Sequence, residues 1–232
     1  MAMKIKSVYL ETNDIAGTVA FYGGRLGLPI VDLMAKSVTF QVGWSQLHFR
    51  VNTQTQPFYH LAFLIPSNQM QEAFAWLSKR TGVLPFTDGR KIAHFENWNA
   101  HAFYFLDNHG TILEFIARHE LNNVSYKSFN SSSILSINEV GVPVDSVSEA
   151  GEFLLANYAI PYFAEGPRMP DFVVMGESEG LLIVPRAGRG WWPTMRPAEK
   201  HPIRIQLEHH GKPIELRFHE EIQVKRPLAV AW

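Results

Sequence analysis

From Ile5 to Glu11 the apolar residues Ile5, Val8 and Leu10 are interrupted by polar or amphipathic neighbours, as in a strand, and the pattern stops at Asn13-Asp14. Asn and Asp accept hydrogen bonds from the first free N–H groups of a helix, so this pair predicts a helix starting near Ile15 and ending at Gly27. Ser37 to Val42 and Ser45 to Asn52, rich in Val, Phe and Thr with period-two patterning, predict two strands joined through Gly43, and a weaker strand covers Pro29 to Met34. Strand, helix and three strands then recur. FYHLAFLIP opens a strand, and Met70, Phe74 and Leu77 give a helix over Gln69 to Lys79 its apolar face. Strands follow over Lys91 to Phe95, His101 to Leu106 and Thr111 to Ala117, the last two joined by a turn on Asp107-Asn108-His109-Gly110.

The order returns once more. ILSINEVGVPV reads as a strand to Val144, Asp145 as a helix cap, and the helix runs through Leu154-Leu155. Strands at Phe172 to Met175 and Leu181 to Pro185 are split by Glu177-Ser178-Glu179-Gly180. After the Gly/Pro/aromatic connection AGRGWWPTMRP, IRIQLEHHGKPIELRF predicts a hairpin turning at His210-Gly211-Lys212, half of a degenerate fourth module. The chain is therefore expected to be α+β, built from repeated βαβββ modules. The Ser/Asn-rich stretch NNVSYKSFNSSS reads as a linker. This divides the chain into a two-module domain (residues 1–121), the linker (122–133), and a third module with the C-terminal hairpin (134–232).

Composition narrows the chemistry. With 46% apolar residues in 232, the chain can bury a core without disulfides. It contains no Cys, which removes thiolate metal ligands, a cysteine nucleophile and dithiol redox chemistry, and leaves His and carboxylates to hold any metal. A formal charge of −1 offers no basic surplus for phosphates, so no nucleic-acid partner is expected. The sequence has no apolar run long enough for a membrane helix; the expectation is a soluble, cytoplasmic protein that meets a small molecule and not a membrane. Walker-type, dinucleotide-binding and nucleophile-elbow signatures are absent.

Strand parity then selects side chains. If Leu113 and Phe115 face the helix, Ile112, Glu114 and Ile116 line the opposite face, and a carboxylate between two isoleucines wants a cation or several donors. The same parity places His60 with Ala62 on that face, while Tyr59, Leu61 and Phe63 face the helix. Aligning Leu47, Phe49 and Val51 with Leu113, Phe115 and Ala117 brings His48 to the position of Glu114. Aromatics such as Phe40, Trp44, Trp98, Phe103 and Phe105 line either a cavity or a core. Arg189-Gly190-Trp191-Trp192-Pro193 reads as a pocket lid or as a packing loop.

The module order, FYGGRLGL, LDNHGTILEF and NEVGVPV resemble the vicinal oxygen chelate superfamily, which includes glyoxalases, fosfomycin-resistance enzymes, bleomycin-binding proteins and extradiol dioxygenases. The resemblance implies paired modules curling into an incomplete barrel around a cup, with metal ligands on the first and last strands of the modules, where His60 and Glu114 stand. With His48 from module alignment, this implies a two-imidazole, one-carboxylate set for a divalent ion: Fe, Mn, Ni, Co or Zn. The family's first-module histidine position is Ser7 here, and Glu11, on the same strand face, is the substitute. Glu114 doubles as ligand and catalytic base. Asn138 and Val184 occupy the third module's ligand positions, so that module is expected to be silent, buttressing the first domain or forming a homodimer contact. The implied function is a metal-dependent lyase, isomerase, ring-cleaving dioxygenase or thiol transferase acting on a small oxygen-rich molecule. The alternative is a metal-free sequestering protein of the bleomycin-resistance type.

Overall fold

The computed structural model describes residues 2–219. The first module comprises β1 (Lys4–Thr12), α1 (Ile15–Thr18), which continues as a π-helical segment (Val19–Arg25), β2 (Ile30–Met34), β3 (Ser37–Val42) and β4 (Ser45–Val51). Asp14 caps the helix by accepting from the Gly17 N–H. The π turn follows from Leu26 N donating to Phe21 O, five residues back, and Gly27 at φ 65° then ends the helix in a conformation that a side chain disfavours. The second module contains β5 (His60–Leu64), α2 (Met70–Ser78), β6 (Ala93–Phe95), β7 (Ala100–Leu106) and β8 (Ile112–Arg118). The third contains β9 (Ser136–Gly141), α3 (Val147–Tyr158), β10 (Arg168–Met169), β11 (Phe172–Glu177) and β12 (Gly180–Pro185). A small ribbon of β13 (Gly190–Trp191) and β14 (Arg196–Pro197) precedes the last hairpin, β15 (Ile203–His209) and β16 (Lys212–Phe218).

The modules pair differently from the expected scheme. Modules one and two do not share a cup. Modules two and three form one eight-stranded sheet, ordered β10-β11-β12-β9-β5-β8-β7-β6, joined by antiparallel β5 and β9. Module one instead adds the final hairpin, giving the six-stranded order β16-β15-β1-β4-β3-β2. Each first strand needs an antiparallel neighbour on its open edge, and β15 supplies it for β1 while β9 supplies it for β5. The Ser/Asn-rich stretch makes this possible. It is stitched to the start of α2, where Asn123 Oδ1 accepts from Ser67 N at 2.9 Å and Asn68 Nδ2 donates to Ser125 O at 2.8 Å. The chain thereby delivers Leu135 N to Leu64 O, and β9 runs back alongside β5.

One apolar cluster joins both sheets, taking Ile5, Val8 and Leu10 from β1, Leu61 and Phe63 from β5, Leu113 and Phe115 from β8, and Leu77 from α2. The alternate residues Ala62, Ile112 and Ile116 belong to separate clusters on the other face of the second sheet. That face carries Glu114.

Gly141, at the end of β9, is required by close approach. A Cβ there would lie 2.7 Å from the Trp191 ring and 3.0 Å from His60 Cβ. Gly141→Ala should push Trp191 off the His60 ring and destabilise the fold by about 1 to 3 kcal/mol, the usual range for overpacking. A melt with intrinsic Trp fluorescence tests both effects, and an unchanged Tm with an unchanged emission maximum would contradict it.

Candidate metal centre

β5, β8 and β9 lie side by side, and each contributes one polar group to the second sheet's open face. His60 Nε2 is 3.7 Å from Glu114 Oε2 and 3.9 Å from Glu139 Oε2. All three residues are buried, and their ligand atoms fall within 4.8 Å of one another. They stand in the wall of a cavity of about 390 Å³, in the size range of small-molecule sites. Phe95, Trp98, Tyr104, Phe172, Trp191 and Trp192 supply its aromatic surface. Of the aromatics named from sequence, Trp98 lines this cavity, whereas Phe40, Phe103 and Phe105 pack in the core. The RGWWP segment does border the pocket. Trp191 packs on His60 with centroids 4.9 Å apart, and Trp192 stacks on Phe86 at 4.2 Å.

The donor set fits a divalent cation. His60 Nδ1 lies 3.2 Å from the Ile112 carbonyl, which can only accept, so Nδ1–H donates there and Nε2 turns toward the two carboxylates. Bonds of about 2.0 to 2.2 Å place neighbouring ligand atoms roughly 3.0 to 3.5 Å apart, so a small side-chain closure completes the site. Electrostatics point the same way. Burial first, and the Glu139 carboxylate second, push Glu114 well above the usual carboxylate range, opposed by a hydrogen bond from Tyr104 and by Arg118. Tyr104, directly across the ladder from Glu114, is itself raised by burial and by Glu114. Two adjacent buried carboxylates favour a cation between them.

His48 and Glu11 are not part of this cluster, which corrects the expected ligand set. Both lie in the other sheet, because β1 pairs with β15 and β4, and β4 with β1 and β3, and neither pairs with β5. Protein groups meet both oxygens of Glu11 and one nitrogen of His48, whose Nε2 is buried without a hydrogen-bond partner among the described residues. Glu11 accepts from Arg50 Nη2 at 2.9 Å and Asn52 Nδ2 at 2.7 Å. His48 Nδ1 meets Thr39 Oγ1 at 2.8 Å and its ring stacks on Tyr9 with centroids 4.0 Å apart. Burial and the nearby Arg204 lower its pKa. Ser7, paired with Gln46, belongs to the same face.

Glu139, unrecognised in sequence, comes from the third module. Module alignment puts Asn138 at the first-strand ligand position, but the strand is not regular there. The register passes from Ala62–Glu139 to Phe63–Ile137, so Asn138 is the extra residue of a β-bulge and the face changes there. Val184 was displaced for a related reason. Glu177 and Gly180 close a tighter turn than the one between Leu106 and Ile112, which moves the equivalent position by one residue. Ile183 pairs with Gly141 as Glu114 pairs with Ala62, so Ile183 stands in the cavity wall where a fourth ligand would stand. The overlooked signal was an acid inside an apolar strand, the same argument that selected Glu114.

No protein-family model and no curated protein matches the sequence. Solved structures do match in fold. A protein from Bacillus subtilis designated a candidate dioxygenase superposes with a TM-score of 0.60 at 14% identity, covering 93% of this chain and 85% of that one. Glyoxalase I from Zea mays superposes with a TM-score of 0.53 at 13% identity, covering 79% of this chain and 67% of that one. With one sheet that pairs two βαβββ modules, a second that pairs a module with a hairpin, and these neighbours, the chain has the glyoxalase/bleomycin resistance/dioxygenase fold.

Proposed function

We propose that the protein is a metal-dependent enzyme acting on a small oxygen-rich molecule, with His60, Glu114 and Glu139 as the metal ligands. The observation that carries this reading is the convergence of three buried ligand atoms from three adjacent strands onto one aromatic cavity. Such a set suits Fe, Mn, Ni, Co or Zn and leaves coordination positions open, because Ile183 supplies no donor. When bound, the ion supplies Lewis-acid activation of chelated substrate oxygens.

The chain's own groups do the rest. The Ile112 carbonyl orients the His60 ring, and the Tyr104 hydroxyl donates to Glu114. Glu114 is assigned the base, since burial beside Glu139 gives its carboxylate a high proton affinity. Trp191 and Trp192 limit water at the cavity wall. Lyase, isomerase, dioxygenase and transferase chemistry all use a site of this kind.

Elemental analysis of protein purified without chelator tests the reading. Near-stoichiometric transition metal supports it. Metal-free protein after growth with each of the five ions would refute it and favour the second reading, in which the aromatic walls alone sequester a planar drug or metabolite.

A further inference from the structure

Behind the cluster lies a cation that this reading leaves without a task. Arg118, the last residue of β8, is 0% exposed. Its guanidinium lies beneath the rings of Trp98 and Phe163, with centroid distances of 5.4 and 5.6 Å. Nη2 donates to Glu139 Oε1 at 2.6 Å, and Nε donates to Asn138 Oδ1 at 2.8 Å. Nη1 is buried and has no hydrogen-bond partner among the described residues. Asn138 is anchored in turn, its Nδ2 donating to Ser178 O at 2.8 Å.

A wholly buried guanidinium with one unpaired nitrogen is poorly explained by stability, because desolvating the charge offsets much of what its ion pair contributes. Its geometry offers a better account. The planar fork bridges two consecutive residues at the β9 bulge, and it takes one oxygen of Glu139 while the other, Oε2, is left facing His60 Nε2.

We propose that Arg118 is a positioning residue for the metal centre: it divides the two oxygens of Glu139, holding Oε1 so that Oε2 alone is presented as a one-oxygen ligand. The inference rests on the metal reading of His60, Glu114 and Glu139. A purely electrostatic role predicts that Arg118→Lys, which keeps the positive charge, binds the ion as the wild type does. Positioning predicts weakening there too, and by about 10- to 100-fold in Arg118→Met, as for other groups that orient metal ligands.

The test uses Co²⁺ as the probe on the full-length protein, with affinity from chelator competition and geometry from the visible absorption of the bound ion. Arg118→Met is expected to weaken Co²⁺ binding by that factor and to alter the spectrum while keeping a cooperative melt. Arg118→Lys keeps the charge but cannot bridge Asn138 and Glu139, so it should fold and bind with intermediate affinity. Wild-type or tighter affinity in Arg118→Met overturns the proposal, as does wild-type affinity in Arg118→Lys. Failure of the wild-type protein to bind Co²⁺ would instead sink the metal reading itself, and the inference with it.

Discussion

Glu139→Ala is expected to lose the metal ion and to destabilise the protein by about 3 to 5 kcal/mol, the range seen when one partner of a buried ion pair is removed. Two separate consequences meet at this carboxylate. Its Oε2 faces His60 at 3.9 Å, so the substitution deletes one of the three proposed ligands and leaves an imidazole and one carboxylate. Its Oε1 accepts from Arg118 at 2.6 Å, and the truncation strands a guanidinium that water does not reach. The effects can be separated. Combining Arg118→Met with Glu139→Leu removes both charges from apolar surroundings and should recover most of the lost stability, while metal content stays near zero. Chemical denaturation and elemental analysis of the two variants check this, and a double variant no more stable than Glu139→Ala would argue against the ion pair as the source of the loss.

Glu114→Gln should raise the stability of the metal-free protein at neutral and alkaline pH while abolishing metal uptake. The folded-state pKa of Glu114 lies well above its unfolded value of 4.5, chiefly through burial and then through Glu139. A carboxyl raised on folding contributes its stability fully below the unfolded pKa and loses it as pH rises toward and through the folded pKa. The metal-free wild type therefore weakens progressively above about pH 4.5 on account of this group, and Gln, which does not ionise, removes that slope. Tyr104 can donate to the Gln amide oxygen as it does to the carboxyl. Comparing Tm of the two metal-free proteins across pH 4 to 8 should show a gap that widens with pH. Parallel curves would mean that Glu114 is not held protonated. The same linkage makes metal uptake by the wild type stronger as pH rises, because the ion displaces a proton.

The concentration of polar groups on one face of one sheet explains both expectations, and part of it was readable from the chain. Glu114 stood out because a carboxylate flanked by Ile112 and Ile116 conflicts with a purely apolar strand. His60 followed from parity in YHLAFLI. The same reasoning applied to module one selected His48 and Glu11, and there it led to a different environment, since parity gives the face of a strand but not the sheet in which that strand pairs. Arg50 and Asn52 bind the Glu11 carboxylate, and Thr39 and the Tyr9 ring hold His48.

Local pattern determined the elements: the alternation of β1 and β8, the Asp14 cap, the glycine that ends the first helix, and the threefold return of strand, helix and strands all depend on residues close together in the chain. Tertiary structure alone decided which modules face each other, because β5 can accept β9 only after the Asn123–Ser125 segment is tied to α2, and β1 accepts a hairpin some two hundred residues away in sequence. It also decided that Glu139 and not Asn138 enters the cavity. A single bulge residue reverses the facing of every side chain beyond it, and no periodicity in SINEVGV marks where that residue falls.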